Sequence, residues 1–232
     1  MIDIWAVPLT GSAQTIAACR DLLSSEEKAR ADRFVFPRDR DSYTLSQGAL
    51  RLLLAGYLTI PAHEIRLASG PKGKPSLLDA SHLDFNKSHS KGLALYAFTH
   101  DCAVGVDVEE VRELPDFQRI ASGFFCPREA QELASVKDTA AAFFRCWTRK
   151  EAYIKAVGDG LSIPLDEFQV TLLPEQPARF VHVGNDERAA CNWNLHHLEP
   201  APGYIGALAY AGARRSLQVH GLVTCEDLLA RG

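Results

Sequence analysis

The sequence predicts an α+β fold, and three observations carry that reading. Strand-patterned segments come in hairpin-like pairs in both halves of the chain. Helical patterns do not alternate one for one with strands, as a doubly wound parallel sheet requires. Finally, "GLALYAF" at 92–98 is echoed by "GALAYAG" at 206–212, a hint of internal duplication.

Taken in order, "MIDIWAVPL" alternates as a first strand. "SSEEKARADRF" opens a helix, with Ser24 or Ser25 as cap and Glu26 and Glu27 in the first turn. Leu45 to Leu58 has apolar residues at helical spacing and predicts an amphipathic helix on the core. "SGPKGKP", Ser69 to Pro75, is a turn because its Gly and Pro residues break regular structure. "LDFNKSHSKGLALYAFTHDCAVGVDVEEV" reads as strand, polar loop, strand, turn at Thr99 to Cys102, and strand. In the second half Pro127 suits a first helical position in "FCPREAQELASV". A longer helix is expected from Thr139 to Val157, capped by Asp138 and stopped by Gly158. "FQVTLL", "ARFVHVG", "CNWNLHHLE" and "YIGALAYAG" are strand-like.

The chain has 232 residues, 47% hydrophobic and 23% charged, the balance of an ordinary globular protein. A net charge of −4 argues against a general nucleic-acid binder, which needs a basic surface. The six cysteines are scattered without paired spacing and read as reduced thiols. No basic-then-apolar leader opens the chain and no apolar run reaches membrane-spanning length. The expectation is a cytoplasmic protein with neither a nucleic-acid nor a membrane partner.

In "VGVDVEEV" (104–111) Val104, Val106 and Val108 share one face of a strand, while Gly105, Asp107 and Glu109 share the other. Two neighbouring carboxylates repel, so they belong either to a solvent-facing edge or to a hard cation such as Mg²⁺, which takes one or two carboxylates together with substrate phosphates. In "FFRCWTRKEAYIKAVGDG", helical spacing sets Trp147, Glu151 and Lys155 on one face, flanked by Lys150 and Ile154. Glu151 and Lys155 alone would be a surface pair worth about 0.3–0.5 kcal/mol. The aromatic Phe143 and Trp147 mark that face as partly buried, where bare charges need a bound partner. Lys72 and Lys74 flank Gly73 in a turn whose backbone N–H groups could meet an anion, and Ser88 and His89 offer a hydroxyl and an imidazole. Together these residues describe a site for a metal-bridged polyphosphate.

"GVDVE" (105–109) followed by "WTRKEAYIK" (147–155), with "GKP" (73–75) and "FNKSHS" (85–90) upstream, resembles the paired signature of the phosphopantetheinyl transferases, in the larger class typified by the surfactin-synthetase activating enzyme. The resemblance implies two similar halves, 1–110 and 111–232, related by a pseudo-twofold axis, with coenzyme A and Mg²⁺ in the cleft between them. It implies transfer of the phosphopantetheine arm to a serine of an acyl, peptidyl or aryl carrier protein by a monomer. By similarity Asp107, Glu109 and Glu151 hold Mg²⁺, Lys155 contacts the pyrophosphate, Lys74 and Pro75 border the adenine, and Ser88 with His89 bind phosphate. Arg30 reaches the nucleotide's 3′-phosphate, although Glu27 stands where some relatives carry a second basic residue. Glu151 takes the serine proton, or a water held by the metal relays it. Glu113 to Phe125 is a candidate docking segment whose Phe117, Ile120 and Phe124 equally suit a core. Two other readings are a Mg²⁺-dependent nuclease and a noncatalytic coenzyme A-binding module.

Overall fold

In the computed structural model, which describes residues 1–70, 73–79, 82–158, 163–184 and 187–231, the elements run as follows. The first part contains β1 (Ile2–Pro8), α1 (Ala13–Leu22), α2 (Ser25–Asp32), α3 (Pro37–Leu58), β2 (Leu67–Ser69), β3 (Pro75–Leu77), β4 (Leu83–Ser90), β5 (Leu93–His100) and β6 (Val104–Glu110). Then come α4 (Phe117–Phe124), α5 (Pro127–Ser135), α6 (Thr139–Val157), β7 (Phe168–Val170), β8 (Phe180–Val183), α7 (Glu187–Ala190), β9 (Trp193–Leu198), β10 (Tyr204–Ala211), β11 (Leu217–Leu222) and α8 (Cys225–Leu229). The mixed α and β content expected from the sequence is present.

Two sheets organise the molecule: a four-stranded one in the order β11-β1-β5-β4 and a three-stranded one in the order β6-β10-β9. Only the β1/β11 pair among these is parallel. One face of the first sheet packs Phe85, Tyr96 and Phe98 against Leu45, Ala49 and Leu53 of α3. Its other face packs Ile2, Ile4 and Leu95 against Val104, Val106 and Val108 of β6, so the valine row meets a neighbouring sheet. Residues beyond β6 then cover α6 in the second core, which includes Phe143, Phe144, Tyr153 and Ala207.

The chain crosses between these layers twice, from β5 to β6 and from β10 to β11. β6 joins the second sheet through β10, with Asp107 opposite Ala207, while β11 returns to pair with β1. β11 and α8 lie outside the elements read from the sequence. The helix expected from Leu45 begins about two turns earlier, at Pro37, where proline at the first helical position is already compatible with a helix start. The Ser24 cap is a full capping box with Glu27. Asp138 accepts from Ala141 N, and Gly158 closes α6 with φ 88°, as the sequence suggests.

One expectation is corrected. "NKSHS" is not a loop but the end of β4, and the turn follows it. The alternation is plain once it is paired: Asn86, Ser88 and Ser90 stand opposite Ala97, Leu95 and Leu93, on the face turned toward β6. Asn86 Oδ1 accepts from Val106 N, Ser90 Oγ accepts from Glu110 N, and Asp84 accepts from Cys102 N. A row of polar side chains thus joins edge strand β4 to edge strand β6 without a backbone ladder, covering two otherwise open edges.

Candidate functional site

The seam between β4 and β6 opens into a cavity of about 540 Å³ lined by, among others, Lys87, His89, Asp107, Glu109, Glu151 and Lys155. Gly105 brings these residues together. A Cβ there would fall 2.1 Å from Ala152 O and 2.3 Å from Ala156 N, so only glycine lets α6 lie directly on β6. That contact sets Asp107 and Glu109 of the strand facing Glu151 and Lys155 of the helix. One turn of α6 toward its N-terminus, Trp147 also lines the cavity, stacked at 5.9 Å on Phe143.

At the centre Lys155 Nζ donates to Asp107 Oδ1 at 2.6 Å and to Ser88 Oγ at 2.8 Å, and Ser88 Oγ donates to the same carboxylate oxygen at 2.7 Å. Asp107 is only 3% exposed, and its second oxygen, Oδ2, is buried with no hydrogen-bond partner. Burial pushes its carboxyl up despite the opposing pull of Lys155. Glu151 is also pushed up, by burial and then by the Asp107 charge, with Glu109 adding to it. Ser90 and Arg112 hold Glu109 Oε2 at 2.7 and 3.2 Å. Among the described residues no three His, Cys, Asp or Glu side chains already form a metal cage. The three carboxylates line the cavity from β6 and α6, with the lysine against Asp107. Their mutual repulsion and the orphaned Oδ2 are nevertheless what an added cation would relieve.

Other expected residues are placed differently. Lys74 lines the cavity, but its ammonium turns away, donating to Lys155 O at 2.7 Å and Val104 O at 3.1 Å. It thereby ties the C-terminal end of α6 to β6, the role a cation takes at a helix's last carbonyls, rather than meeting an anion. The Gly73 N–H is spent within the turn on Gly70 O at 2.8 Å. Pro75 borders the cavity beside Gly73, and Lys72 lies outside the described residues. His89 opens to solvent, its imidazole pushed down by partial burial and by Lys87 and Lys155. Arg30 does not line the cavity, but its charge reaches both His89 and Lys87, and its guanidinium sits 5.4 Å over the Tyr43 ring. Lys150 does not flank the site: it is fully buried on the far side of α6, paired with Glu129 at 2.8 Å. In the segment considered for docking, Phe117 and Ile120 pack on the second core while Phe124 stays 55% exposed.

Sequence reasoning missed Asn86, Lys87, Ser90 and Arg112. The first three follow from reading "FNKSHS" as a strand with a period of two. Arg112 left no signal, since it reaches Glu109 from the chain just beyond β6.

Comparison with known proteins gives a consistent picture. Residues 103–209 match the family described as the 4′-phosphopantetheinyl transferase superfamily, and residues 10–100 match the one described as 4′-phosphopantetheinyl transferase, N-terminal. The 4′-phosphopantetheinyl transferase HetI of Nostoc sp. is 38% identical over 216 residues, covering 91% of this chain and 88% of that protein. The 4′-phosphopantetheinyl transferase Sfp of Bacillus subtilis is 32% identical over 191 residues, 82% of each chain. The human L-aminoadipate-semialdehyde dehydrogenase-phosphopantetheinyl transferase is 33% identical over 179 residues, covering 72% of this chain and 58% of that protein.

Proposed function

Since this chain belongs to the 4′-phosphopantetheinyl transferase superfamily, we propose that it transfers the 4′-phosphopantetheine arm of coenzyme A to a serine of an apo acyl, peptidyl or aryl carrier protein. The observation that carries the reading is the Lys155–Asp107–Ser88 cluster, which closes on Asp107 Oδ1 and leaves the same carboxylate's buried Oδ2 without a partner.

In the reaction the serine oxygen forms a bond to the phosphorus that bears the pantetheine arm. The bond from that phosphorus to the bridging oxygen breaks, and adenosine 3′,5′-bisphosphate leaves. Attack on an anionic diphosphate must overcome charge repulsion, so neutralisation and positioning supply most of the rate. Lys155 Nζ stands ready to pass from Asp107 to a phosphate oxygen. Ser88 keeps Asp107 Oδ1 bonded when the lysine turns. Glu151 lines the cavity from α6 as the carboxylate placed to take the serine proton, either directly or through a water. Asp107, Glu109 and Glu151 fit Mg²⁺, which when bound supplies charge neutralisation at the diphosphate.

The same reading includes the subclass whose Trp-x-x-Lys-Glu-Ala signature stands at 147–152. It also includes two halves, 1–110 and 111–232, related by a pseudo-twofold axis, with β6 and β11 exchanged across that boundary. In support, the echoed segments are β5 and β10, each an inner strand of its sheet, and each sheet carries one long helix. Among the described residues no helix is long and apolar enough to cross a membrane, and the reading is of a cytoplasmic monomer.

Incubation with coenzyme A, Mg²⁺ and a panel of apo carriers, read by intact mass, tests the proposal. It expects one phosphopantetheine added to a carrier serine. Coenzyme A binding without mass gain on any carrier would favour a noncatalytic module, and cleavage of DNA or RNA a nuclease.

A further inference from the structure

Position 87 breaks a pattern. On β4 the side chains facing α3 are Leu83, Phe85, Lys87 and His89, and the first two lie in the apolar core beneath that helix. Lys87 stands directly opposite the fully buried Tyr96, where the period of two calls for another apolar side chain. It is half-buried, and burial pushes its ammonium down to about 8.

Its surroundings hold it there without neutralising it. Among the described residues its hydrogen-bond partner is the neutral Gln47 Oε1. The Gln47 amide is fixed in that orientation because its Nε2 donates to Glu27 Oε1 at 3.2 Å. Glu27 in turn is committed to Arg51 Nε at 2.7 Å and to Ser24 N at 2.8 Å. Glu27 therefore acts on Lys87 only from a distance, through an amide that aims a carbonyl at the ammonium. Three donors on a half-buried ammonium with one neutral acceptor leave a cation that lacks an anion.

We infer that Lys87 is a specificity-determining cation that binds a phosphate monoester at the nucleotide end of coenzyme A, an inference that rests on the transferase reading above. Coenzyme A carries phosphate in two places, a diphosphate and a monoester on the ribose. The cavity likewise carries two cationic centres. Lys155 lies on the α6 side with the carboxylates, while Lys87 lies on the α3 side with His89 and within reach of the Arg30 charge. The carboxylates claim the first centre for a metal-bridged diphosphate. Among the described residues no carboxylate is hydrogen-bonded to Lys87, and the one lining carboxylate whose charge reaches His89, Glu109, already has its Oε2 held by Ser90 and Arg112, so the second centre suits a dianionic monoester. Lys87 also supplies positive charge at the end of the site where Glu27 provides none.

The test compares binding of coenzyme A and of dephospho-coenzyme A, which lacks the monoester, by titration calorimetry on the wild type, Lys87→Met and Lys87→Gln. Coenzyme A affinity should fall roughly tenfold in both variants, with dephospho-coenzyme A held within about twofold of wild type. Lys87→Met restores the apolar row and should melt no lower than wild type, so a loss of binding would not be a loss of fold. Lys87→Gln repeats the measurement with a polar side chain. Equal weakening of both ligands, or unchanged coenzyme A affinity, would overturn the assignment. A wild type that binds neither ligand would overturn the transferase reading with it.

Discussion

Helix α6 carries two paired lysines that make opposite points about buried charge. Lys150 and Lys155 lie roughly 140° apart around the helix. Lys150 is fully buried against Glu129, also fully buried, and donates further to Leu165 O at 2.7 Å and Phe168 O at 2.6 Å. Glu129 completes its own set with Cys126 N at 3.1 Å and Val170 N at 2.8 Å. Every oxygen and the ammonium are satisfied, and the pair ties α5, α6 and β7 together. Lys155 and Asp107 form the shorter contact, 2.6 Å, yet leave Asp107 Oδ2 without a partner and Glu151 beside a like charge. A closed polar network is architecture, and an open one is a place for a ligand.

The largest expected effect tests the closed side. Lys150→Ala leaves Glu129 buried without its cation and should cost about 3–5 kcal/mol of stability, seen as a fall in the urea midpoint. An unchanged midpoint would erase the contrast. On the open side Asp107→Asn should do the reverse, lowering phosphopantetheine transfer by roughly 10²–10³ while the melting temperature stays at or above that of wild type. Gly105→Ala attacks the contact on which the open side depends. It forces α6 off β6 at a cost of about 1–3 kcal/mol, and both the melting temperature and turnover should drop. Lys155→Ala should slow transfer at least about tenfold, or ~1.4 kcal/mol, and unchanged kinetics would remove that lysine from the mechanism.

The smallest effect sharpens the comparison by adding a third lysine. Burial pushes Lys87 down to about 8, so between there and the ordinary lysine range the unfolded chain keeps a proton that the folded chain has released. Stability from this group therefore rises with pH across that window and is lost as pH falls through about 8. Lys87→Met should out-melt the wild type by a few degrees at pH 7, with the advantage shrinking by pH 10. A gap that does not change with pH would deny Lys87 its low pKa.

The sequence made α6 legible to the residue, because Asp138, a regular apolar face and Gly158 all mark the same boundaries. The pairing of Asp107 and Glu109 on one face was equally plain, since strand alternation is strict. What escaped was set by distant chain. Lys74 reads from the sequence as a free cation in an anion-facing turn because that turn hides the α6 carbonyls that it reaches across the fold. The polar β4 looked like a loop because its partner along one side is not a ladder but a row of bonds to β6. Lys150 looked like a flank of the site because Glu129, its counter-charge, sits on another helix. β11 has no local cue for its parallel return to β1 from the far end of the chain.

The central claim is that the unsatisfied carboxylates at the β4–β6 seam are completed by a divalent cation and a diphosphate. Crystals grown with coenzyme A and Mn²⁺ in place of Mg²⁺ test it directly through the anomalous signal of the metal. A single peak bonded to Asp107 Oδ2, Glu109 and Glu151, within about 2.0–2.3 Å of each oxygen, with Lys155 turned onto phosphate, is the result expected. Bound coenzyme A with no metal peak there, and Lys155 still on Asp107, would contradict it.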